Sequence, residues 1–202
     1  MTMRFADLLA HPDVREECVL RSTFGFMAYH GGGLEEMTDV IAAAAAERAG
    51  ASYYAVLQPE AMQNHIPSHH VSPAESPLMA AFIEHVDVVV TVHGYGRQKL
   101  FTSLLLGGRN RDLAAHVARH LRDRLPAYDV RTDLNSIPSD LRGQHAANPV
   151  NLPRGRGVQI ELPPRVRGSS PMWWDWEGPG HTPHTEALID GLAEAARTWA
   201  SG

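Results

Sequence analysis

The sequence predicts an α/β fold, a single domain over residues 1–202 with a mainly parallel, mixed sheet and helices on both faces. Three observations carry this. Short apolar or β-branched runs recur along the chain, and helix-like segments fall between them. With 202 residues, 44% of them hydrophobic and 20% charged, the chain also has the length and composition to bury one substantial core.

Phe24 to Tyr29 (FGFMAY) reads as a buried strand ending at His30. Met37 to Arg48 reads as a helix closed by Gly50, and Tyr53 to Leu57 (YYAVL) as a second strand. Ala74 to His85 is a helix candidate, followed by the clearest strand, Val86 to Val92 (VDVVVTV). Thr102 to Leu106 is a short apolar run ending in Gly107-Gly108, and Asp112 to Leu125 is helical in pattern. Gly157 to Leu162 (GVQIEL) is a further strand, and a last helix starts at Pro183 and runs to about Ala200. Pro138 to Arg156, rich in Pro, Gly, Asn and Arg, reads as an active-site loop rather than a domain boundary.

Charge and composition exclude several functions. A net charge of −5 argues against nucleic-acid binding through a basic surface. Neither a signal peptide nor an apolar stretch of about 20 residues occurs, so no membrane role and a cytoplasmic location are expected. Cys18 is the sole cysteine, so no internal disulfide can form.

Ligands of open α/β sheets bind at the carboxyl ends of strands. His30 and His93 each end a strand and are each followed by glycine, and Glu161 lies late in GVQIEL. Glu35 follows His30 across the glycine loop of AYHGGGLEE, where a bare backbone lets the chain fold back. Two His and one Glu can hold a zinc ion with one position open to water, and Glu161 is then the spare carboxylate for a general base. Spacing alone leaves Glu36 as an alternative to Glu35. The bland reading of each residue, a hydrogen-bonded strand-end His and an ordinary glycine turn, is set against the coincidence of two such strand ends.

The remaining histidines carry less. His116 and His120 lie four apart without the glutamate of a zinc-protease helix, which fits a solvated face better. The cluster NHIPSHH, with His65, His69 and His70, fits a polar loop, or a site for a metal or anionic substrate. His181 and His184 belong to the start of the last helix. Between Leu141 and Trp174 stand five arginines, Arg142, Arg154, Arg156, Arg165 and Arg167, and one acid, Glu161. Such an excess suits bidentate recognition of carboxylates, against the ordinary reading of solubilising charge. Trp173, Trp174 and Trp176 suit a lid, a cleft wall, an oligomer contact or, most commonly, a loop packed on the core.

AYHGGGLEE, VVVTVHGYGR, LLLGGRN and NPVNLPRGRGVQIELPP together make the chain resemble the phage-type poly-γ-glutamate hydrolase family, from about Phe24 to Leu162. NHIPSHH is similar to the family's segment after its second strand. These are small zinc peptidases with a carboxypeptidase-like α/β fold. The resemblance implies one Zn²⁺ per chain held by His30, Glu35 and His93, with Glu161 as general base. It further implies a substrate with γ-glutamyl amide bonds and a free carboxylate on every residue. Asn151 and His65 are the expected substrate contacts within the matching elements. The family element tends to read Asn-Arg where this chain has Asn151-Leu152, which leaves Arg154 or Arg156 to hold the substrate carboxylate. Two other readings stay open: an N-acyl-amino-acid deacylase acting on a small carboxylate-bearing amide, and a non-catalytic protein binding anionic ligands.

Overall fold

The computed structural model describes residues 3–200. The chain runs α1 (Phe5–Leu9), β1 (Arg15–Val19), β2 (Phe24–Gly32), α2 (Thr38–Ala49), β3 (Ser52–Gln58), α3 (Pro77–His85) and β4 (Val88–Gly94). It continues with β5 (Ser103–Leu106), α4 (Arg111–Arg124), β6 (Asp129–Arg131), β7 (Gly157–Leu162), α5 (Pro164–Arg167) and α6 (Pro183–Thr198). The seven strands form one mixed sheet in the order β1-β3-β2-β4-β7-β5-β6. β3, β2, β4 and β7 are mutually parallel, β1 is antiparallel to β3 at one edge, and β5 is antiparallel to β7.

Side-chain alternation divides the sheet into two faces. On one, Phe26, Ala28, Val90, Val92, Val158 and Ile160 pack against apolar faces of α2, α4 and α6. In α4 the buried positions Leu113, Ala114, Val117, Ala118 and Leu121 make a single stripe, and each fully buried Leu contributes about 2 kcal/mol. On the other, Met27, Tyr29, Tyr54 and Val89 pack against Phe5 and Leu8 of α1 and Met79 and Phe82 of α3. Toward the carboxyl ends of β4 and β7 this second face turns polar, with His93, Gln159 and Glu161 all buried.

The elements read from the sequence are present, with shifted ends. The expected helix from Ala74 is a short turn at Pro73–Glu75 and then α3, because Ser76 caps the helix by accepting from Met79 N at 2.9 Å and Pro77 starts it. β2 runs on through His30 to Gly32, and β4 through His93 to Gly94. α2 closes at Gly50 in the left-handed conformation, as expected. Not foreseen were α1, α5, β6 and the charged edge strand β1, whose sequence REECV lacks an apolar face and owes its form to pairing with β3. Among the described residues no helix is long and apolar enough to cross a membrane.

Candidate metal centre

Three neighbouring parallel strands, β2, β4 and β7, end side by side, bringing their carboxyl ends to one place. β2 carries one extra residue against β3: Ala28 pairs with Ala55, but Gly31 pairs with Leu57. This bulge breaks the alternation, so consecutive Tyr29 and His30 both enter the site. Their rings meet edge to face at 4.8 Å, and they lie 4.9 and 5.0 Å from the His93 ring.

Beyond His30 the chain doubles back, with Glu35 N donating to His30 O at 3.0 Å. The glycines are required by a close approach as much as by the turn. Gly32 has φ +69°, and a Cβ there would lie 2.2 Å from the Gln58 carbonyl oxygen. Gly32 N donates to Asp39 Oδ1 at 3.0 Å. Buried Arg167 spans the loop and the end of β7, donating to the carbonyls of Glu36 and Leu162.

The turn delivers Glu35 between two imidazoles. Its Oε1 lies 3.0 Å from His30 Nδ1 and its Oε2 lies 3.2 Å from His93 Nδ1, while Gly94 N donates to Oε2 at 2.9 Å. One ligand atom from each of His30, Glu35 and His93 falls within 4.8 Å of the others. The outer ring nitrogens are already committed. His30 Nε2 lies 2.9 Å from the Ile66 carbonyl, which only accepts, so Nε2 donates outward and Nδ1 is the nitrogen left to turn its lone pair to a metal. His93 Nε2 lies 3.0 Å from the Tyr29 hydroxyl, which itself donates to Asn148 Oδ1 at 3.2 Å. Two inward lone pairs and a carboxylate fit a divalent cation, with outer acceptors orienting each ring. Burial alone would raise the Glu35 pKa, but His93 and His30 outweigh it and hold the carboxyl well below its ordinary range.

Glu161 sits beside His93 in the β4–β7 register. It is buried and forms no ion pair among the described residues. Burial pushes its pKa up to about 7, opposed by His93 and supported by Glu35. Gln159 Nε2 donates to Glu161 Oε1 at 2.8 Å, and Gln159 Oε1 accepts from Asn148 Nδ2 at 2.8 Å. A continuous hydrogen-bonded chain thus joins His93 to Glu161 through Tyr29, Asn148 and Gln159. These three residues went without a role in the sequence reading. Gln159 had a signal, since it alternates with Val158 and Ile160 and so shares a face with Glu161.

The site opens into a cavity of about 630 Å³. His30, Glu35, His93 and Glu161 line it together with His65, whose ring is 4.7 Å from that of His30. Ser139 to Leu141, Gly143 to His145 and Asn148 supply a wall, so the first part of the 138–156 segment borders the site. Its arginine end does not. Arg154 is exposed and donates to Asp87 Oδ1 at 2.6 Å, at the amino end of β4, and Arg156 is exposed just before β7 begins. The structure therefore does not bring Arg154 or Arg156 to the cavity, because the strand carries them away from its carboxyl end. Asn151 braces the wall from behind, donating to the carbonyls of Gly143 and His145 at 2.8 and 3.0 Å. The Glu36 side chain stays outside the ligand cluster. His116 contacts the Ala195 carbonyl of α6 and His184 the Tyr128 hydroxyl, both structural roles. The Trp173 indole donates to Arg165 O and packs against Trp176, away from the cavity.

Fold likeness reaches hydrolases. A bacteriophage poly-gamma-glutamate hydrolase superposes with a TM-score of 0.74 at 19% identity, covering 91% of this chain and 87% of that one. The zinc-free apo form of YNDL gives 0.75 at 20% identity, covering 92% and 90%. An N-formylglutamate amidohydrolase from Ralstonia eutropha gives 0.51 at 14% identity, covering 93% and 96%. At such identities the likeness is one of fold. No curated protein matches the sequence. The family model described as poly-gamma-glutamate hydrolase matches residues 5–175, most of the chain, and the protein belongs to that family of hydrolases.

Proposed function

We propose that the cavity hydrolyses γ-glutamyl amide bonds, with one zinc ion held by His30, Glu35 and His93. The observation that carries this is the convergence of two inward-facing Nδ1 atoms and one carboxylate beside a separate buried carboxylate, Glu161. Bound zinc supplies Lewis acidity, polarising the amide carbonyl and making water easier to deprotonate. Glu161 takes the proton of the attacking water and delivers it to the leaving amine as the C–N bond breaks. Gln159 fixes the Glu161 carboxylate by its bond to Oε1, and Tyr29 fixes the His93 ring. His65, on the cavity wall, is a substrate contact in this reading. The family membership supports a glutamate polymer as substrate, and the name of the zinc-free YNDL structure supports the choice of metal.

The test is elemental analysis of purified protein and of His93→Ala, paired with digestion of poly-γ-glutamate followed by size-exclusion chromatography. About one zinc per chain, lost in the variant, together with shortened polymer, is the expected result. A folded wild type that takes up no metal overturns the proposal. Intact polymer alongside cleavage of small N-acyl glutamates replaces it with a deacylase.

A further inference from the structure

The candidate site lacks the cation its substrate calls for. Among the described residues no lysine or arginine lines the cavity, whereas Glu35, Glu161 and Asp140 do. A γ-linked glutamate carries a free α-carboxylate, and the zinc charge is already offset by Glu35 and Glu161. The remaining donors on the wall are imidazoles. His65 lies tilted against His30, next to the metal ligands, where it meets the substrate near the scissile bond. His69 and His145 come from two different loops, one after β3 and one before β7, yet their rings meet at 4.8 Å at the exposed mouth of the cavity. The His70 ring lies 4.2 Å from that of His69. Such a contact between exposed rings adds little to folding, so packing does not account for it.

We propose that His69 and His145 form the subsite that grips the free carboxylate of the γ-glutamyl unit, doing with two imidazoles what the sequence leads one to expect from an arginine. The inference rests on the hydrolase reading above. His145 Nδ1 already accepts from Ala147 N at 3.1 Å, so the two loops offer a carboxylate the His145 Nε2–H and an N–H of His69, and the anion favours the protonated form of His69. Without it, slight burial and then His70 and His145 hold His69 below its ordinary pKa. The other ionisable groups around the pair are His65, Glu35, Glu161 and Asp140, the last paired with Arg97; Arg109 reaches Gln144 O beside His145. Carboxylate binding therefore takes up a proton, and affinity falls as pH rises past the ordinary histidine range near 6.5.

The test compares kcat/KM for γ-glutamyl-glutamate with that for its counterpart whose α-carboxylates are amidated, using zinc-loaded enzyme. In the double variant His69→Gln/His145→Gln the preference for the charged substrate should fall at least about tenfold. His69→Arg should keep the preference and flatten its decline with pH. An unchanged preference, or an equal loss on both substrates, overturns the subsite. If wild type cleaves neither dipeptide, the hydrolase reading is judged on poly-γ-glutamate as above, and the imidazole NMR signals of His69 and His145 still decide. Shifts on adding the charged dipeptide but not the amide sustain the subsite, and no shift ends it.

Discussion

The two ends of β7 differ in every respect that matters for chemistry. At the amino end Arg154 and Arg156 stand in solvent, and Arg154 is paired with Asp87. At the carboxyl end Glu161 is buried, accepts from neutral Gln159 and lies beside His93 in the β4–β7 register. Glu161 lies five positions after Arg156, about 16 Å along the chain. In sequence they are close neighbours, and in the molecule the strand holds them apart as a rod would. An arginine cluster near a carboxylate in the sequence is thus no evidence of a shared site when a strand lies between them.

Changes at the two ends should separate accordingly. Glu161→Gln should retain zinc and lose about 10³- to 10⁴-fold in kcat, measured on a γ-glutamyl dipeptide. A variant keeping more than a tenth of the activity would remove Glu161 as base. In metal-free protein Glu161 binds its proton more tightly when folded than when unfolded. Stability should therefore fall as pH rises from about 4.5 to about 7, by up to about 3 kcal/mol. Urea midpoints at pH 5 and pH 8 should show this slope in wild type and its loss in Glu161→Gln. Glu35, held low, acts in the opposite sense and below that window.

Gln159→Leu removes the donor to Glu161 and the acceptor for Asn148, and should cost roughly 10- to 100-fold in kcat or zinc affinity. Full activity with full zinc content would show that the carboxylate needs no such orientation. The smallest effect belongs to the amino end. Arg154→Ala should change stability by less than about 1 kcal/mol, since its ion pair is exposed, and should leave dipeptide turnover as it was. A large loss of turnover there would erase the contrast between the two ends.

The sequence made the strand ends legible because apolar runs stop where His30, His93 and Glu161 begin, and periodicity registers that directly. It made the glycine turn legible for the same reason. Tyr29 and Asn148 were not, since what they do depends on partners up to 119 residues away, and Gln159 was legible only as sharing a face with Glu161. β1 escaped notice because edge pairing, not side-chain pattern, makes it a strand. The arginines were legible as charge but not as position.

The extra residue in β2 also has a consequence for engineering. Side chains along a strand obey a parity, odd to one face and even to the other, and the bulge resets that parity once, between Ala28 and Gly31. A one-residue deletion there would leave the composition of the site intact on paper while sending either the ligand His30 or Tyr29, whose phenol orients His93, into the apolar layer beneath. Insertions in the loops can be absorbed, but at this point the spacing of the sequence counts for as much as its letters.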